Sequence, residues 1–81
     1  MASTFHITIA SVGETHYVGE ATSVTLPGEA GIFTILPHHE PLITILKRGT
    51  IMLTAAGDEK REYTIDNGVL ECANNRVVVL L

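Results

Sequence analysis

The sequence has one cysteine, few charged residues and no long apolar run, and each shortage excludes a class of protein. Cys72 has no partner cysteine in the chain, so a scaffold held by internal disulfides is excluded. No apolar segment reaches the roughly 18–20 residues that cross a bilayer, and no basic segment precedes an apolar one near the N-terminus. We therefore expect no direct membrane insertion and no secretory signal. Apolar residues make up 46% of the chain and charged residues 17%, proportions that argue against both a disordered chain and a coiled coil.

The length and the charge restrict the domain count and the partners. The chain has 81 residues, and we assign residues 1–81 to a single domain. Its formal net charge is -4, and its basic residues are scattered singly or in pairs: Lys47, Arg48, Lys60, Arg61 and Arg76. A nucleic-acid partner requires a basic surface, so none is predicted. An acidic chain remains suited to a positively charged protein partner.

Short apolar segments separated by turn residues predict an all-β fold. In residues 5–10 the side chains alternate, which places Phe5, Ile7 and Ile9 on one face of a strand. Further strands are predicted at residues 22–26, 32–36, 42–46, 50–55, 60–66, 69–73 and 76–81. No stretch of ten residues has helical periodicity. Short strands at near-regular spacing are typical of a β-sandwich or a β-barrel.

Proline, glycine and asparagine mark the predicted turns. The Pro-Gly pair at 27–28 is predicted to end the second strand and to set a tight turn. Gly49 is predicted to separate the strands on either side of it. The Asn-Gly pair at 67–68 and the Asn-Asn pair at 74–75 each suit a type I′ hairpin turn, because both residue types tolerate positive φ.

Some predicted strands are apolar on both faces, at residues 42–43, 51–53 and 77–81. A strand with one wet face alternates apolar and polar residues, so these segments are either covered on both sides or dock against another protein. The chain also stops on two leucines. This favours either a truncated domain or a short natural form whose missing part would have covered this edge.

The polar residues give little indication of catalysis. His38, His39 and Glu40 suggest a small metal- or ligand-binding β-barrel as one alternative, and a loop surface bracketed by Pro37 and Pro41 as the other. Adjacent strand residues point to opposite faces, so the two histidines need a bend to share a metal. Cys72 has apolar neighbours and is predicted to be a buried residue rather than a nucleophile. No catalytic dyad or phosphate-binding loop is evident, so we expect a binding or structural module without a cofactor.

Residues 24–42, with the sequence VTLPGEAGIFTILPHHEPL, form the most specific pattern in the chain. This segment resembles the signature of the N-terminal β-sandwich domain of the epsilon subunit of rotary (F-type) ATP synthases. The resemblance continues at residues 46–49 (LKRG), 67–71 (NGVLE) and 75–80 (NRVVVL), and residues 5–21 fit the opening strands. It therefore covers nearly the whole chain. It implies a two-sheet antiparallel β-sandwich.

The resemblance also implies a function and contact residues. The chain would be a non-catalytic subunit of the rotor's central stalk in a proton-translocating ATP synthase. It would dock on the gamma subunit and on the membrane-embedded ring of c subunits, and so couple rotation to ATP synthesis. The implied c-ring contacts are Gly28, Glu29, Ala30, Gly31 and Ile32. The implied gamma contacts are Ala10, Ser11, His39, Pro41, Leu42 and Val78.

The implied location and the departures from the family complete this prediction. The chain would be a peripheral membrane protein on the cytoplasmic face of a bacterial plasma membrane, with the stromal side of a chloroplast thylakoid as the alternative. Thr34 and His38 stand where the family usually has glycine. The family commonly has a C-terminal pair of helices that inhibit ATP hydrolysis and in some members bind ATP. This chain ends before a C-terminal helical hairpin, so neither role is assigned to it.

Overall fold

The chain folds into strands joined by turns. A computed structural model describes residues 3–81. The strands are β1 (Phe5–Ser11), β2 (Glu14–Gly28), β3 (Gly31–Ile35), β4 (Leu42–Ala55), β5 (Lys60–Ala73) and β6 (Arg76–Leu80). The all-β prediction is confirmed. Residues 3–81 include no helix with the length and hydropathy of a membrane span.

The strands form one hydrogen-bonded sheet that folds over on itself. Their order is β1-β6-β5-β4-β2-β3, and β2 also pairs with β1. The first part of β2 pairs with β1, and its second part lies between β3 and β4. The pairs are antiparallel except for β1 with β6, which is parallel. Long strands thus pass from one layer of a β-sandwich to the other, which confirms the predicted fold class.

Three strands are much longer than the sequence predicted. β2 has 15 residues, and β4 and β5 have 14 each. The β4–β5 ribbon keeps one register from Leu42, opposite Cys72, to Thr54, opposite Lys60. The predicted turn at 67–68 is therefore wrong, because these two residues pair with β4 in the middle of the ribbon. The predicted break at Gly49 is wrong for the same reason.

The β4–β5 ribbon bends near its middle, and glycine allows this bend. Leu46 and Ile51 are both buried although residues five positions apart on a regular strand point to opposite faces, so the inward face changes between them. A Cβ added at Gly49 would lie 2.8 Å from the Cβ of Pro27. A Cβ added at Gly68 would lie 3.0 Å from a backbone carbonyl oxygen of β6. Both positions need glycine because another chain segment passes close by, not because a turn is present.

The turn predicted at 27–28 lies two residues further along the chain. Pro27 and Gly28 pair with Ile32 and Gly31 in the β2–β3 hairpin, so residues 29–30 form its tip. Gly31 has a φ of 139°, which favours glycine. Pro27 therefore lies within the paired part of β2 and does not itself make the turn.

The hairpin turn predicted at residues 74–75 is confirmed. Asn74 and Asn75 connect β5 to β6 with φ values of 52° and 61°, the left-handed conformation expected for this pair. Between β4 and β5, Asp58 has a φ of 68°. Next to it, Arg61 and Glu59 form an exposed ion pair with an N–O distance of 3.1 Å.

The core lies between the two layers and consists of buried aliphatic, aromatic and thiol side chains. Its members are Phe5, Ile7, Ile9, Ala21, Val24, Leu26, Ile35, Leu46, Ile51, Leu53, Ile65, Leu70, Cys72, Val77 and Val79. The predicted alternation in β1 is confirmed, since three of these residues come from that strand. Cys72 is buried as predicted, and its burial raises the pKa of the thiol. A raised thiol pKa argues against a reactive nucleophile.

Candidate functional site

One outward surface of the sandwich is largely aliphatic. It is formed by β1, β6, the end of β5, the start of β4 and the first part of β2. We call it the aliphatic face and define it by Ala10, Val18, Ile43, Ile45, Val69, Val78 and Leu80. Because side chains of paired residues point to the same side of a sheet, these residues share one surface.

The strand registers arrange this surface in two adjacent rows. One row runs through Ile43, Glu71, Val78, Thr8 and Val18. The other runs through Ile45, Val69, Leu80 and Ala10. Neighbouring strands lie about 4.8 Å apart, so the longer row extends for roughly 19 Å. The rows make the aliphatic face continuous.

The aliphatic face is accessible to solvent. Ile43 is 72% exposed, and Ile45, Leu80 and Val18 are each more than half exposed, at 55%, 56% and 55%. Single exposed hydrophobic residues are common on protein surfaces and need no explanation. A contiguous aliphatic surface instead marks a site where another molecule docks.

A polar cluster borders the aliphatic face where β6 begins. The Thr4 hydroxyl donates a hydrogen bond of 2.9 Å to Glu20, and His6 Nδ1 donates one of 3.1 Å to the same carboxylate. These hydrogen bonds lower the pKa of Glu20, and the charge of Arg76 adds to the effect. An apolar centre beside a polar border is the usual composition of a protein–protein interface.

The outward surface of the other layer has a different chemistry. Hydroxyl side chains predominate there: Ser23, Thr25, Thr34, Thr50, Thr54 and Thr64. The hydroxyl oxygens of Thr25 and Thr34 lie 2.8 Å apart and share a hydrogen bond. Met52, which is 50% exposed, is a large apolar residue on this surface. The contrast between the two surfaces selects the aliphatic face as the candidate docking site.

The structure divides the residues predicted to contact gamma between two surfaces. Ala10 and Val78 lie on the aliphatic face, where both are half-buried between their strand neighbours. Ser11 lies at the end of β1, beyond that face, and its hydroxyl forms a hydrogen bond of 3.0 Å with Nε2 of His16. The prediction that these residues contact gamma therefore has its best structural basis at Ala10 and Val78.

The remaining predicted gamma contacts lie at a sheet edge. His39 and Leu42 line a groove of about 410 Å³, with β3 on its other side. Within residues 3–81, β3 pairs with β2 alone, so its second edge faces this groove. His39 Nδ1 donates a hydrogen bond of 2.7 Å to the carbonyl oxygen of Glu40, and Pro41 is exposed beside it. This subset is near the start of β4 but not on the aliphatic face.

The loop predicted to contact the c ring forms the tip of the β2–β3 hairpin. Glu29, Ala30, Gly31 and Ile32 are exposed, and Ile32 is 77% exposed. Gly28 is buried, so it supports the loop from inside. The backbone N–H of Glu29 donates a hydrogen bond of 3.0 Å to a carbonyl oxygen of β4, which holds the tip against the body.

Ile45 and Val69 are surface residues that the sequence pattern alone did not predict. Ile45 follows Ile43 by two residues, so both side chains point to the same face of β4. This spacing could be read from the apolar run at residues 42–46. The position of Val69 on this surface was not predicted because a turn was wrongly predicted at residues 67–68. Without that turn, the register of β5 places Val69 opposite Ile45.

The metal-binding alternative receives no support from the described residues. Among residues 3–81, no group of three or more histidine, cysteine, aspartate or glutamate side chains could hold a metal ion. The backbone N–H of His38 donates a hydrogen bond of 2.8 Å to the side chain of Asn75. The loop is thus fixed by hydrogen bonds to the protein.

The fold defines the class of small β-sandwich domains, and the aliphatic face is its candidate docking surface. Residues 4–81 match the family model described as the ATP synthase delta/epsilon chain β-sandwich domain. The chain belongs to this family. The resemblance carried by residues 24–42 is thereby confirmed.

Curated relatives agree with this assignment. The chain is 38% identical over 78 residues to the ATP synthase epsilon chain of Bordetella parapertussis, an alignment that covers 96% of this chain and 56% of the relative. It is 40% identical over 81 residues to that of Herminiimonas arsenicoxydans, covering 99% of this chain and 58% of the relative. The chain thus spans little more than half the length of these relatives.

Solved structures share the fold. A chain of the Euglena gracilis mitochondrial ATP synthase, solved with its F1 part and c ring, matches with a TM-score of 0.90 at 19% identity, over 96% of this chain and 50% of that chain. A chain of the Tetrahymena thermophila mitochondrial central stalk and c ring matches with a TM-score of 0.76 at 11% identity, over 93% and 60%. At such low identities, the likeness establishes the fold alone.

Proposed function

We propose that this chain is a non-catalytic rotor domain that docks on the gamma subunit of an ATP synthase and on its c ring. The aliphatic face is the gamma contact and carries the proposal. The hairpin tip is the ring contact. By holding both partners, the domain would transmit rotation between proton flow in the membrane and ATP synthesis.

The chemistry of the aliphatic face supports docking on a folded protein surface. Its two rows offer aliphatic area with a polar border, and both parts have counterparts in stable protein interfaces. The backbone of the paired strands is fixed before binding, so docking would order few additional groups. A partner with a complementary apolar surface would remove this face from water, which is favourable in proportion to the apolar area buried.

The hairpin tip supports a second contact with the c ring. Glu29 and Ala30 protrude together with Ile32, and the backbone hydrogen bond from Glu29 limits their motion. An acidic side chain and an aliphatic side chain at one tip suit a polar loop that carries basic residues. The domain would then lie beside the membrane as a peripheral protein. The bacterial relatives favour the cytoplasmic face of a plasma membrane.

A binding measurement with the gamma subunit of the same organism tests the proposal. Val78→Asp would place a carboxylate in the docked face, where an unpaired charge is costly, so we expect gamma binding to be lost or greatly weakened. Thr50→Asp on the polar surface of the other layer is the matched control and should bind normally. Circular dichroism confirms that both variants are folded. Normal gamma binding by folded Val78→Asp would overturn docking through this face.

A further inference from the structure

One carboxylate lies in the middle of the aliphatic face. Glu71 on β5 is paired with Ile43 on one side and with Val78 on the other. Val69 precedes it on the same face of β5. Glu71 is exposed in the chain alone, so its charge is hydrated there. Docking of an entirely apolar partner would remove that water and provide nothing in its place.

The described residues supply no partner for this carboxylate. Within residues 3–81, none of the ion pairs and none of the side-chain hydrogen bonds involves Glu71. Arg76, on the adjoining strand β6, instead adds to the positive charge near Glu20. The aliphatic face therefore presents a carboxylate with no ion-pair partner among residues 3–81, between the aliphatic side chains of Ile43 and Val78 and diagonally across from Arg76.

We propose that Glu71 selects the docking partner by forming an ion pair with one arginine or lysine set in an otherwise apolar surface of the gamma subunit. The inference rests on the proposed docking on gamma and specifies its chemistry. A desolvated carboxylate without a partner strongly disfavours binding, whereas a paired one permits it. Surfaces that match the apolar shape but lack the cation are rejected, so Glu71 provides specificity rather than affinity.

The same charge acts against self-association. If two copies joined through their aliphatic faces, the two Glu71 carboxylates would be brought into one interface whose centre is aliphatic, with Arg76 at its border. Like charges in such an interface disfavour association, so the isolated domain stays monomeric although its face is apolar. Replacing the charge with a neutral side chain removes this protection.

Neutralising the carboxylate tests the pairing directly. Glu71→Gln keeps the size and shape of the side chain but leaves the partner cation unpaired, so we expect gamma binding to weaken by about tenfold or more. The salt dependence of the affinity should also fall, because one charge pair is lost. Glu62→Gln, on the polar surface of the other layer, is the matched control and should change neither quantity. Calorimetric titration at two salt concentrations measures both.

Charge reversal identifies the partner side chain. Glu71→Lys should abolish gamma binding, and one arginine-to-glutamate or lysine-to-glutamate substitution on gamma should restore it. If no reversal on gamma restores binding, the ion pair is overturned. Light scattering adds a separate measurement: Glu71→Gln should associate with itself at concentrations where the wild type is monomeric. A Glu71→Gln variant that stays monomeric at those concentrations contradicts the protective role.

The outcomes separate this inference from the docking on which it rests. If Glu71→Gln binds gamma within twofold of the wild type while Val78→Asp does not bind, the aliphatic face docks but the ion pair is wrong. If both variants bind gamma normally, docking through this face is wrong. Loss in both variants, with rescue by a reversed charge on gamma, supports both statements.

Discussion

Asn75 and His38 lie 37 residues apart and are joined by a hydrogen bond of 2.8 Å from the backbone N–H of His38 to Oδ1 of Asn75. The same amide group donates a hydrogen bond of 2.8 Å to the carbonyl oxygen of Thr4. One side chain in the β5–β6 turn therefore fixes both the residue that precedes β1 and the loop that leads into β4. His38 and Asn75 both have positive φ, at 64° and 61°.

We predict that Asn75→Gly destabilises the fold by about 1–3 kcal/mol. Glycine tolerates the positive φ, so the loss comes from the two hydrogen bonds, which leave a backbone N–H and a carbonyl group without their partner. Asn74→Gly is the matched control: this residue also has positive φ, and among residues 3–81 its side chain makes no hydrogen bond. Urea unfolding measures the free energy of unfolding of each variant. Equal stabilities of the two variants would contradict the role of Asn75.

Core and surface isoleucines should respond differently to truncation. Ile7 is fully buried and Ile43 is 72% exposed. Ile7→Ala should lower the free energy of unfolding by about 2–5 kcal/mol, because it leaves a cavity between the layers. Ile43→Ala should change it by less than about 0.5 kcal/mol. The same Ile43 variant should weaken gamma binding, so unfolding and binding measurements together distinguish the two positions. A large loss of stability in Ile43→Ala would contradict the outward assignment.

Patterns of period two made most of the core predictable. In β1, Phe5, Ile7 and Ile9 alternate with polar or small residues, and all three are buried. The asparagine pair at 74–75 was predictable because both residues tolerate positive φ, and no competing strand pairing includes them. Local sequence was sufficient to predict the buried residues of a regular strand and the position of a short turn.

The long bent strands were not predictable from the same signals. Asn67 and Gly68 have the composition of a hairpin turn, yet both pair with β4. The glycine is required by close approach of β6, a contact between residues distant in the chain. Val69 follows this pair, so the wrong turn also concealed a row of the aliphatic face. Docking surfaces depend on register between strands, which the composition of one segment does not specify.

The hairpin tip between β2 and β3 should bind the c ring through its charge and its aliphatic side chain. Glu29→Lys reverses the charge of the tip, and we expect roughly tenfold weaker binding of the isolated c ring to the gamma-bound domain. Glu59→Lys, at the tip of the β4–β5 hairpin, is the control because it makes the same change at a different tip. Equal ring binding by the two variants would show that the β2–β3 tip is not the contact. Gamma binding should be unchanged in both.

Stability should depend on pH through Glu20. Hydrogen bonds from Thr4 and His6 lower the pKa of this carboxyl below its ordinary value of 4.5. The folded state therefore holds the proton less tightly than the unfolded state does. Glu20 contributes stability that is fully present above pH 4.5 and is lost as the pH falls through the lowered pKa.

Two variants measure this contribution. The difference in unfolding free energy between the wild type and Glu20→Gln should shrink as the pH falls below 4.5. Thr4→Val removes the hydrogen bond with the largest effect, so the pKa of Glu20 should rise toward 4.5, as followed by NMR titration of its carboxyl carbon. If the pKa of Glu20 is the same in Thr4→Val and in the wild type, the hydrogen bond is not the cause of the shift. If the difference in unfolding free energy between the wild type and Glu20→Gln does not change as the pH falls, Glu20 stabilises the fold without its charge.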